Sequence, residues 1–162
     1  MKHILFILLL AISNLIMAQT NKSDTVSSST QKVYALRLHP GDDLRLKLDE
    51  FVKKHKMHAG YIITCVGSLK QATLRLSNRN ETSTWKQTFE ITSLVGTLCM
   101  DGNHLHISIA DKDGVTIGGH LVDGCIIYTT AEIVIGEAPE LLFTRETDAV
   151  TTYKELKIYP NK

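Results

Sequence analysis

His104, His106 and His120 are the residues of this 162-residue chain whose types and spacing point most directly to chemistry. Between the pair and the third lies Asp111-Lys112-Asp113-Gly114. That stretch suits a three-residue hairpin loop, a type I turn closed by a glycine in the left-handed conformation. With Lys112 to Gly114 as the loop, Asp111 faces Val115, His106 falls opposite His120, and His104 lies diagonal to it. Strand side chains alternate with period two, so His104 and His106 share one face. The three imidazoles then converge beside Ser108, Thr116 and Gly118. The other face carries Leu105, Ile107, Ile109, Val115, Ile117 and Leu121 as an apolar stripe, with Val122 the one apolar residue on the histidine side. A loop of two or four residues would send His120 to the apolar side instead.

Three imidazoles on adjacent strands can offer nitrogens to one ion at about 2.0–2.1 Å, the arrangement of a zinc site with an open fourth position. Zinc, nickel, copper and iron all suit imidazole ligands. The expected cofactor is therefore a divalent transition metal such as zinc, with His104, His106 and His120 as its ligands. An open position on such a metal can activate water, so a metal-dependent hydrolase is a second class of function. No general base or nucleophile stands at a defined spacing, and Asp111 reads as a turn residue, so no catalytic residue is assigned. The plainer alternative is a polar strand face at a subunit boundary. His39, His55 and His58 have no comparable arrangement.

The elements that must position these residues read as α+β. Val33 to Leu38 predicts a first strand, stopped by Pro40-Gly41. Asp42 or Asp43 can cap a helix, because a carboxylate accepts the free N–H groups of a first turn. Leu44, Leu48, Phe51 and Val52 then lie on one helical face, and Lys53 to Lys56 crowd its end, where cations suit the helix dipole. Strands are predicted at Gly60 to Val66, Ala72 to Leu76, Phe89 to Met100, His104 to Ala110, Val115 to Val122, Cys125 to Ile135 and Leu141 to Arg145. One main helix with seven or eight strands joined by tight turns implies a mainly antiparallel sheet.

Residues 1–18 read as a secretory signal peptide: basic Lys2, an apolar run from Ile4, and small Ala18 before the cut. Asn14 interrupts the run, which falls short of the roughly 20 apolar residues a membrane span needs. The expected location is the periplasm or the exterior. Residues 19–31, polar and serine-rich, read as a flexible leader, 32–158 as the folded domain and 159–162 as a tail. Removing the signal leaves 17 basic against 17 acidic side chains, which opposes a polyanion-binding surface built on bulk charge. Cys65, Cys99 and Cys125 form no Cys-x-x-Cys pair, and each lies in an apolar or glycine-flanked stretch that predicts a buried, inert thiol. An odd count in an oxidising compartment leaves at least one thiol unpaired within the chain.

The chain resembles the plants and prokaryotes conserved (PPC) domain family. The matching elements are Gly67-Ser68-Leu69 before Leu74-Arg75, then Phe89-Glu90-Ile91 with Ser93-Leu94 and Gly96. His104-x-His106, Asp111, Gly114 and Gly118-Gly119-His120-Leu121 form the most specific stretch. Phe143-x-Arg145-x-x-Asp148 and Tyr153-Lys154-Glu155-Leu156 close the match. The resemblance implies an antiparallel α+β domain assembling as a homotrimer. It also implies His104, His106 and His120 as metal ligands, with Arg75 and Glu90 as ligand-binding candidates near them. Plant relatives carry this domain beside AT-hook segments that bind DNA, which makes DNA binding a third class. This chain has no Arg-Gly-Arg-Pro segment and carries an export pattern, so both features oppose that role.

Overall fold

A backbone stop and a cap set the first corner of the chain. Gly41 takes a positive φ of 92° after Pro40, and the Asp43 side chain accepts from the backbone N–H of Arg45 and Leu46. That cap opens α1 (Leu44–His55), which ends on Lys56 in the left-handed conformation with Lys53, Lys54 and His55 in its last turn. Leu44, Leu48 and Val52 on its inner face are buried, as their spacing predicts. In the computed structural model, which describes residues 27–162, nine strands accompany this helix among the described residues. The signal segment and most of the predicted leader lie outside those residues.

The strands are β1 (Lys32–Leu38), β2 (Gly60–Arg75), β3 (Thr82–Trp85), β4 (Phe89–Leu98), β5 (His104–Ala110), β6 (Thr116–Leu121), β7 (Ile126–Glu137), β8 (Leu141–Thr147) and β9 (Lys154–Pro160). Seven of them form one sheet in the order β1-β7-β2-β4-β5-β6, with β3 paired to β2, and all its pairings are antiparallel. β6 also pairs back onto β2, through Leu74 with Leu121 and Arg75 with His120. The ring β2-β4-β5-β6 therefore closes on itself, which removes those edges from solvent. The predicted α+β class and antiparallel sheet are what the chain forms.

The strands predicted at Gly60 to Val66 and Ala72 to Leu76 are one strand, β2. Its register against β7 shifts at three points, one of them between Gly67 and Leu69. A bulge lets a strand bend and continue, so a glycine that looks like a stop can sit inside a strand. The core gathers Leu69, Leu74, Leu105, Ile109, Leu121, Ile127, Ile133 and Ile135 with the inner face of α1. A second, smaller cluster of Ala59, Cys99, Ala138 and Phe143 holds the ribbon β8-β9, with Leu156 packed against it. Burying Phe143 stabilises that ribbon by about 1.5–3 kcal/mol, against about 1 kcal/mol for an ordinary hydrogen bond. The ribbon is also tied by Phe143 N–H to the His58 carbonyl and by Arg145 to Asp101 and Thr97, so apolar docking and hydrogen bonds place β8 and β9 together.

All three cysteines are free and buried. Burial pushes the Cys65 thiol up to about 12 and Cys125 up to about 11, so neither is a thiolate at neutral pH. They are inert core residues, as their apolar settings predict.

A candidate metal centre on the histidine hairpin

The hairpin β5-β6 adopts the predicted register. Asp111 N–H donates to the Val115 carbonyl at 3.0 Å, Gly114 N–H donates to the Asp111 carbonyl at 3.0 Å, and Gly114 has a φ of 80°. Asp111 is a turn residue: its carboxylate accepts from the N–H groups of Asp113 and Val115, both at 2.9 Å. His106 pairs with His120, and Ser108 with Gly118. On the inner face Leu105, Ile107, Ile109 and Leu121 are buried, and Ile117 is half-buried. Val115 departs from the stripe at 59% exposed, because β6 begins one residue later and Val115 overhangs the end of the core.

The outer face brings the three histidines together. One ring nitrogen from each lies within 4.8 Å of the other two, and Nε2 of His104 stands 3.2 Å from Nε2 of His106. Two ligands at about 2.0–2.1 Å in tetrahedral geometry stand roughly 3.3 Å apart, so this pair is already at chelating separation. The His104 and His120 rings stack at 5.2 Å, and His106 meets His120 edge-on at 4.4 Å. Among the described residues, no carboxylate lies within salt-bridge reach of any of the three rings. The donor set, three neutral-capable imidazoles converging on one point, fits a divalent transition metal.

The electrostatics favour the neutral form of His104 and His120. Burial, then the charge of Arg75, then the two neighbouring imidazoles hold His120 down to about 4. His104 is also lowered, first by burial and then by the Arg145 guanidinium, with Glu155 acting in the opposite direction. A metal ligand must be the unprotonated imidazole.

β4 flanks the cluster on the other side, with Val95 paired to His106 and Thr97 to His104. Gly96 between them has a φ of 135°, and a Cβ there would lie 2.0 Å from the His104 carbonyl oxygen. Only glycine lets β4 approach the first ligand this closely. Of the two further candidates, Arg75 is at the cluster, paired across strands with His120. Glu90 is not. It pairs with Ala110 and Ser68, five residues before Val95, or about 16 Å along the strand.

Three residues that the spacing did not single out complete the surroundings. Thr97, Arg145 and Glu155 line a groove of about 310 Å³ together with His104, His106, Val95, Gly96 and Leu156. Arg145 donates from Nη2 to Thr97 Oγ1, and its backbone N–H donates to the Asp101 carboxylate at 2.7 Å. Arg145 and Glu155 stand in the closing motifs of the family resemblance, but no spacing ties them to the histidines, which they reach only through the docking of the β8-β9 ribbon. His55, in contrast, packs on Tyr34 and Phe51 away from the cluster.

A model of the Plants and Prokaryotes Conserved domain, abbreviated PCC or PPC, matches residues 25–139. The chain belongs to this family. Among solved structures, a hypothetical protein from Salmonella enterica is 41% identical and superposes with a TM-score of 0.83, covering 85% of this chain and 100% of that one. A metal-containing protein from Archaeoglobus fulgidus is 26% identical with a TM-score of 0.67, covering 82% and 99%. The bifunctional protein GlmU of a Synechococcus strain is 48% identical over 129 residues, 80% of this chain but 20% of GlmU. The chain thus spans about a fifth of the length of the curated relatives it matches. The family match covers the whole histidine hairpin and ends at residue 139, just before β8.

Proposed function

We propose that this protein is an exported, homotrimeric PPC domain that binds one divalent transition metal, zinc foremost, through His104, His106 and His120. The observation that carries the metal reading is the convergence of the three ring nitrogens within 4.8 Å, with two of them 3.2 Å apart. The metal-containing relative from Archaeoglobus fulgidus supports it. A bound ion with an open position would polarise an oxygen ligand. The chain's own part is to hold three imidazoles in register on one rigid hairpin, to keep His104 and His120 unprotonated, and to flank them with Arg75 and Arg145.

Export rests on the pattern of residues 1–18, and no helix among the described residues is long and apolar enough to cross a membrane. The homotrimer rests on the family resemblance. The outer face of β1, β7 and β2 carries a groove that mixes apolar Ala35, Val66 and Val134 with Arg37, Thr64 and Glu132, a surface on which such packing could occur.

Metal analysis of the protein lacking residues 1–18, after loading with Zn²⁺ and exhaustive dialysis, tests the central reading. One zinc per chain is expected, falling to near zero in His106→Ala. No retained metal, or equal retention by the variant, would sink it.

A further inference from the structure

Two guanidinium groups flank the histidine cluster, and neither has a carboxylate within 4.0 Å among the described residues. Arg75 spends one donor on the Arg79 carbonyl at 3.4 Å. Arg145 is the better placed of the two. Its Nη2 is fixed by Thr97, its backbone by Asp101, and its Nε is buried with no hydrogen-bond partner. The guanidinium is thus held by a hydroxyl rather than by an ion pair, and it presents its charge to the groove it lines. Glu155 is the one acidic side chain on that groove, and its carboxylate accepts from Thr151 at 3.0 Å. With a divalent ion on the histidines, the groove would carry more positive than negative charge, and Arg75 beside His120 would add to it.

We infer that the groove between the β8-β9 ribbon and the histidine hairpin binds a small carboxylate-bearing ligand, with Arg145 as its anchor beside the metal. The assignment rests on the metal reading above. Planar guanidinium matches a carboxylate with two parallel donors, which a lysine cannot do. The groove is at the lower end of ligand-pocket size, so the ligand is small. Val95 and Leu156 offer it apolar contact, and a metal held by His104, His106 and His120 would offer its oxygen a second hold. The specificity element is then the ribbon, while the hairpin holds the ion.

Co²⁺ in place of zinc makes binding visible, because its d–d absorption changes when an oxygen ligand enters the open position. The full mature protein, loaded with Co²⁺ at constant ionic strength, is titrated with sodium acetate, with acetamide as the neutral control of the same shape. Acetate is expected to shift the spectrum saturably and acetamide is not. Arg145→Gln is expected to weaken acetate about tenfold or more, as loss of one charge-assisted contact implies, with Co²⁺ affinity retained. Thr97→Val, which frees Arg145 without removing its charge, is expected to fall between, and Arg145→Lys to recover part of the loss. Retained Co²⁺ binding in each variant shows that the site is intact. Failure of Co²⁺ to bind the unaltered protein overturns the metal reading and takes this one with it. A Co²⁺ site that ignores acetate, answers acetamide equally, or responds identically in Arg145→Gln overturns the carboxylate assignment alone.

Discussion

At the scale of single residues, the site depends on the protonation state that His104 and His120 prefer. His120 stays neutral in the fold down to about pH 4, against an ordinary value of 6.5, because burial and the Arg75 charge both disfavour the cation. Below pH 6.5 the unfolded chain takes up a proton that the folded chain refuses. The stability contributed by neutral His120 is therefore full above 6.5 and is lost as pH falls through about 4. His104 acts in the same direction. Urea denaturation of the metal-free protein at pH 7, 5.5 and 4.5 is expected to show falling stability, with a shallower fall in His120→Asn. Equal slopes for the two proteins would contradict the assignment. Arg145 shows where residue-level reading stops. Its role depends on Thr97, Asp101 and His104, all distant in sequence, and no spacing rule connects them.

At the scale of elements, the hairpin is the part most legible in the sequence, for a physical reason. Asp111 and Gly114 fix the turn, and the turn fixes which residues face each other, so the meeting of His106 and His120 follows. Elements without such a pin were harder to read. β3 is a short polar run beside an Asn- and Arg-rich loop, and β9 alternates charged with apolar residues and buries little. The bulged course of β2 reads as two strands because Gly67 looks like an end. Two glycine substitutions separate turn conformation from strand packing. Gly114→Ala meets open space and is expected to cost about 1 kcal/mol of conformational strain, with metal stoichiometry unchanged. Gly96→Ala drives a methyl into the His104 carbonyl and is expected to cost about 1–3 kcal/mol more. Because that collision displaces a ligand's own backbone, it should also weaken zinc binding, as calorimetric titration would show. Unaltered zinc affinity in Gly96→Ala would mean that β4 does not set the position of His104.

At the scale of the whole molecule, fold class and family are written along the entire domain, whereas location and assembly rest on patterns outside the histidine hairpin. Most of the apolar stripes of residues 32–147 reappear as buried faces of strands or of α1, which is why the antiparallel class is readable without long-range information. Pairings such as β1-β7 and β2-β6 are not, since they join segments far apart in the chain. Expression of the full chain in a Gram-negative host, followed by fractionation, N-terminal sequencing and light scattering, is expected to give a periplasmic product that begins at Gln19 and has three times the chain mass. A cytoplasmic product retaining Met1, or a monomer, would contradict export or trimer respectively. The central claim is that one ion sits between three imidazoles of a single hairpin. Diffraction from zinc-loaded crystals above and below the zinc absorption edge tests it most directly. The expected result is one anomalous peak per chain, about 2.0–2.1 Å from a ring nitrogen of His104, His106 and His120; the absence of a peak there, or a peak held by other residues, would contradict it.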